Sequence, residues 1–189
     1  MKLRVADCEL TVGYEAVAAM TAVLLLDREG HVAACLLAAA LHELGHVLMT
    51  LVFRVPVKRI RVRLFDVLIE ADDAPTLAAD VWITLGGVLM NFFCFAVLYP
   101  LAPAWGMPHL MLGVFNLLPV LSLDGGHLLT ILLQRRFSPV VCRNVLRILT
   151  FVFLLPLFTA GLYLLLNSGY NYSLLAISLY LTVILFLKS

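Results

Sequence analysis

A chain of 189 residues that is 63% hydrophobic and only 13% charged is unlike a soluble globular domain, which is about half apolar and about a quarter charged. With a mean hydropathy of +1.04 it reads as an integral membrane protein. The net charge of +1 carries little information, because in a membrane protein the placement of charge matters more than its sum. The length suits a single membrane-embedded domain, 1–189, with no appended soluble domain expected.

Taken in chain order, residues 2–13 alternate charged and apolar side chains, as a short strand or interfacial arm does. They lack the basic-then-apolar pattern of a cleaved signal peptide. Residues 14–26 are apolar but short for a spanning helix, which takes about 20 residues. "DREG", 27–30, is a turn, and 31–53 is the next long apolar run. Residues 54–74 alternate basic side chains with Ile and Val, which predicts a β-hairpin at the membrane surface. Residues 75–101 form a further span, opened by Pro75. Residues 109–133 are apolar but broken by "NLLPVLSLDGG". Residues 140–166 and 173–187 complete the set. The expected fold is an all-α polytopic membrane protein with about six transmembrane segments, a short β-hairpin and a short N-terminal strand. Segments 14–26, 140–166 and 173–187 are expected at the periphery of a core over 31–133.

If each segment crosses once, one face carries Lys2, Arg4, Arg54, Lys58, Arg59, Arg61, Arg63, Arg135, Arg136, Arg143, Arg147 and Lys188, and the other only Arg28. Basic residues favour the inside, so the first face is expected to be cytoplasmic. The short segment 14–26 is the weak point of this scheme. Cys8, Cys35, Cys94 and Cys142 are scattered, which suggests neither a disulfide framework nor a cysteine metal site.

The run 31–53 contains "HELGH", with His42 and His46 four residues apart. On a helix this spacing puts both imidazoles on one face, one turn apart. Two neutral imidazoles can fill two positions of a tetrahedral zinc site. Glu43, directly after the first histidine, can act as a general base toward water. Ionisable groups inside a span are costly, and are functional by default. Gly45 keeps that side of the helix thin. A catalytic zinc takes three protein ligands, and the residues alone leave Asp124, His127, His109 and His31 as candidates for the third. His31 and His109 fall near the ends of apolar runs, where an interfacial histidine needs no special role. Gly86 and Gly87 indicate close helix packing. Asn91 and Asn116 are amides at membrane depth, where an unpaired polar group is expensive.

Three motifs in this order, "HELGH" (42–46), "GGVLMN" (86–91) and "NLLPVLSLDGG" (116–126), resemble the site-2 protease family of zinc intramembrane metalloproteases. The resemblance implies His42, His46 and Asp124 as ligands of one zinc ion, with Glu43 as the catalytic glutamate. Asn91 and Asn116 would hold the substrate or polarise its carbonyl. It implies a three-helix core over 31–53, 75–101 and a broken 109–133, and a β-region that presents the substrate. The Gly125-Gly126 pair would let the backbone approach the first metal helix. The sequence departs from the family's pattern at Arg54 and Asp66, where glycine is usual, at Ser122, where proline is, and in the Gly86-Gly87 version of its Gly-Pro motif. The lack of an appended domain looks like the compact branch that includes sporulation-factor-processing enzymes. The expected protein is a multi-pass protease of a bacterial cell membrane. It would cut membrane-embedded or membrane-adjacent segments of protein substrates, with the lipid bilayer and a possible regulatory membrane partner around it and no nucleic acid. The rival expectations are a catalytically silent zinc protein that retains client membrane proteins, and a small transporter with a metal-lined cavity.

Overall fold

A computed structural model of the chain describes residues 2–5, 8–27, 30–62 and 67–168, together with 175, 178, 179 and 182. The expected span 173–187 lies almost wholly outside the described residues, as do Arg63, Asp66 and Lys188. Two compact units divide the chain, 1–115 and 116–189.

The first unit opens with β1 (Lys2–Val5) and β2 (Cys8–Val12), an antiparallel pair, where a single strand was expected. Helices α1 (Tyr14–Leu26) and α2 (His31–Val52) follow, then β3 (Val57–Val62) and β4 (Val67–Ala71). The four strands form one sheet in the order β1-β2-β3-β4, with β2 parallel to β3. The expected surface hairpin is therefore half of a larger sheet. Its charges pair across strands: Arg59 donates to Glu9 at 3.0 Å and lies 3.5 Å from Glu70, which Arg61 also reaches at 3.5 Å. Lys58 donates to Asp72, and that bond raises the lysine's pKa above its ordinary value.

The parallel pairing constrains the helices. Both ends of the α1–α2 segment return to neighbouring strands of one sheet, so whatever distance α2 covers the chain must cover again. With 22 residues α2 rises about 33 Å, the thickness of a hydrocarbon core. The 13 residues of α1 rise only about 20 Å. Between the helices Gly30 adopts a left-handed φ of 76°, and the Asp27 carboxylate accepts from Ala33 N at 2.9 Å, which satisfies one open donor of the first turn of α2. Helix α2 ends in a Schellman-type turn: Val55 N donates to Thr50 O and Arg54 N to Leu51 O. Arg54 takes φ 57° there, a conformation that favours glycine.

Helix α3 (Leu77–Leu98) starts where Thr76 caps Ala79 N at 3.1 Å. Helix α4 (Pro103–Asn116) follows, its buried stripe made of Gly106, His109 and Gly113. It begins six residues before the apolar break in the sequence suggests, and Pro108 is inside it. In the second unit a loop, 117–123, leads to α5 (Asp124–Leu133) and α6 (Pro139–Ser168). Thr150 of α6 accepts from Leu121 N at 3.0 Å and ties that loop to the helix. Over the expected broken segment 109–133 the chain forms most of α4, an irregular loop, and α5.

Among the described residues three helices, α2, α3 and α6, are long and apolar enough to cross a membrane. Their outward faces carry exposed Leu44, Leu48, Leu51, Phe93, Phe151 and Leu155. Such a face has lipid as its natural solvent, and the chain is an integral membrane protein.

Candidate metal centre

The α2–α3 contact is made by small residues. On α2 the buried positions Ala34, Ala38, His42 and Gly45 line one face. On α3 Thr84, Gly87, Val88 and Asn91 do the same. In a membrane, helices gain little from apolar burial alone and associate by close backbone packing. A Cβ added to Gly86 would sit 2.6 Å from the Gly45 carbonyl oxygen, and one on Gly45 would collide with the Gly86 carbonyl. Gly45 was expected to keep its helix thin so that a peptide backbone could approach, and the backbone packed against it is instead that of α3 at Gly86.

This crossing fixes both rings of "HELGH". His46 Nδ1 lies 2.8 Å from the carbonyl oxygen of Ile83 on α3. A carbonyl only accepts, so Nδ1 carries the proton and Nε2 presents its lone pair. His42 is buried, and its Nδ1 lies 3.0 Å from Nδ2 of Asn91. The two Nε2 atoms are 3.2 Å apart. With Zn–N bonds of about 2.0–2.1 Å, two ligands of a tetrahedral ion stand about 3.3 Å apart, so the pair is spaced as two corners of a zinc site. Gly87 faces the same point: a Cβ there would lie 2.5 Å from His46 Nε2 and 2.7 Å from His42 Nε2. Gly87 thus leaves open the space beside both Nε2 atoms, and any larger residue at 87 would fill it. The donors and the cradle fit a zinc ion.

Glu43 is half-buried on α2 beside His42. In the second unit Asp124 is the first residue of α5, where a carboxylate also complements the positive end of the helix. Asn116 ends α4 and is half-buried. The glycines after Asp124 pack on their own loop. A Cβ on Gly125 would strike the Leu117 carbonyl and one on Gly126 that of Val120, so this pair folds the loop back on α5. His127 and His31 are exposed.

Asn91 is fully buried, and both ends of its amide are on imidazoles: Nδ2 toward His42, and Oδ1 3.1 Å from Nδ1 of His109. His109 is fully buried as well. The bland interfacial role expected of it does not hold. The misreading has a local cause. With the helix taken to begin at 109, His109 is a terminal residue; with α4 beginning at Pro103 it lies in the second turn, on the stripe with Gly106 and Gly113. Gly113 lies against Phe92 and the Cβ of Asn91, which brings that stripe onto α3. The spacing 106, 109, 113 was the available signal, and Pro108 obscured it.

Residues 96–159 match the model of peptidase family M50. A curated zinc metalloprotease of Methanocaldococcus jannaschii is 28% identical over 61% of this chain, and this chain spans 39% of that protein's length. The solved structure of a site-2 protease from the same organism superposes with a TM-score of 0.70, at 18% identity, covering 96% of this chain and 91% of that one. By matched segment, by relative and by fold, the chain is similar to the site-2 proteases of peptidase family M50.

Proposed function

We propose that this protein is a zinc endopeptidase that cuts membrane-embedded or membrane-adjacent segments of other membrane proteins. The observation that carries the reading is the 3.2 Å separation of the His42 and His46 Nε2 atoms over the open cradle at Gly87. By the family resemblance, His42, His46 and Asp124 would together hold one metal ion. Two neutral imidazoles and one carboxylate suit zinc, and the carboxylate offsets one of its two charges in a low-dielectric site. Bound zinc would supply Lewis acidity toward a peptide carbonyl and toward water.

The chain's own residues do the rest. Glu43 takes a proton from the attacking water and passes it to the leaving amine. Asn116, beside irregular backbone of the kind that lines cavities at membrane depth, holds the substrate's backbone. The family resemblance gives Asn91 the same part, at one remove from the substrate, because its amide is already shared between two imidazoles. The β2–β3 pairing supports an orientation in which the N-terminal strands and 54–74 share the basic, cytoplasmic face. A multi-pass arrangement, a bacterial membrane and regulated proteolysis of a client belong to the same proposal.

The test is zinc content of purified protein at equal concentration. The wild type should carry close to one zinc per chain, and His46→Ala should carry none. Asp124→Ala should match His46→Ala, whereas His127→Ala should keep its zinc. The reverse pattern would make His127 the third ligand and leave Asp124 to orient it.

A further inference from the structure

We propose that His109 is a positioning residue for the metal ligand His42, acting through the side-chain amide of Asn91. The proposal rests on the reading of His42 and His46 as metal ligands.

The argument follows the protons. A neutral imidazole has one N–H and one lone pair. With Asn91 as placed, His109 Nδ1–H donates to Asn91 Oδ1 at 3.1 Å, and Asn91 Nδ2–H donates to His42 Nδ1 at 3.0 Å. The proton of His42 is then on Nε2, where it faces His46 Nε2 at 3.2 Å, and His46 Nδ1–H donates to Ile83 O at 2.8 Å. Four hydrogen bonds run in one direction from α4 to α3.

A ligand nitrogen has to present its lone pair. Metal at Nε2 therefore requires the His42 proton on Nδ1, and that N–H needs an acceptor. Asn91 can supply one in place. Turned by 180° about its last bond, the amide fills the same volume and presents Oδ1 to His42. Its Nδ2–H then points at His109 Nδ1, which has to accept. A histidine can do so by carrying its own proton on Nε2. That atom is buried and has no hydrogen-bond partner among the described residues, so the tautomer of His109 follows what Asn91 asks of Nδ1. Leucine could serve neither arrangement, and lysine could only donate. The imidazole serves both, and in the metal-holding arrangement it secures the amide that secures His42.

The experiment measures zinc affinity by chelator competition on the purified full-length protein in detergent. The variants are His109→Leu, His109→Asn, and Asn91→Leu combined with His109→Leu. Residues that orient a metal-bound histidine are worth about 10–100-fold in affinity. His109→Leu should lose about that factor. His109→Asn places an amide near the former Nδ1, can donate or accept there, and should restore most of it. The double variant removes both partners of the amide–imidazole bond together, so neither of those two positions is left with an unpaired group. It still leaves His42 Nδ1–H without an acceptor, so its affinity should stay low. Should His109→Leu fail to fold, the Asn and double variants decide the matter. Wild-type affinity in His109→Leu, or in the double variant, overturns the proposal. A wild type that binds no zinc would instead remove the metal-site reading beneath it. Zinc that is lost in His46→Ala but held unchanged in His109→Leu would remove this inference alone.

Discussion

The α2–α3 crossing and the four-stranded sheet both hold polar groups in a chain that is mostly apolar, and they hold them in opposite ways. At the crossing His42 and Asn91 are buried, and each polar contact is to one particular atom: an Ile83 carbonyl, an Asn91 amide, a His109 ring nitrogen. In the sheet Arg59 is about one-third exposed and is shared between Glu9 and Glu70. Loss of one partner at the crossing leaves a buried group unsatisfied, at about 1–3 kcal/mol. Loss of one partner in the sheet leaves a charge that water can solvate. Polar groups thus set geometry where water is excluded and are exchangeable where it is not.

Four changes should break or sharpen this contrast, and they are ordered by expected size. The largest is Glu43→Gln, which keeps shape and loses only the basic oxygen. Cleavage of a co-expressed membrane client should fall by about 100-fold or more, the scale of a general base, with zinc retained. Comparable cleavage by the variant would end the protease reading. The next is Gly87→Ala. Its methyl would sit 2.5 Å from His46 Nε2, in the space the metal needs, so purified protein should carry no zinc while the helices still assemble. Zinc retained at the wild-type level would show that the two lone pairs do not meet at that point.

The smaller effects are away from the crossing. Arg54→Gly relieves a left-handed residue at the end of α2 and should stabilise the protein by about 1 kcal/mol, read from unfolding in mixed micelles. No gain would mean that the turn relaxes around arginine at no cost. Arg59→Ala in the sheet should destabilise by less than about 1 kcal/mol, and the difference should shrink further as salt is added. A loss of several kcal/mol, insensitive to salt, would erase the distinction between the two regions.

The local features of this protein were legible in the residues themselves. The i, i+4 spacing of His42 and His46 is a property of any helix, so their shared face needed no tertiary information. The apolar runs marked α2, α3 and α6 because a spanning helix satisfies its own backbone, and its length is set by the bilayer. The interruption "NLLPVLSLDGG" marked the break before α5, because Pro119 cannot continue a helix. Pairings between distant residues were decided by the tertiary structure. Strand β2 lies beside β3 across two intervening helices, Glu9 against Arg59, and no period within either strand names its neighbour. His109 meets Asn91 only because α4 begins at Pro103 and rests its glycine stripe on α3. A helix pattern states which residues face inward, whereas the atom each one meets depends on the register at which two helices cross. Here that register is set where Gly45 and Gly86 let the two backbones touch.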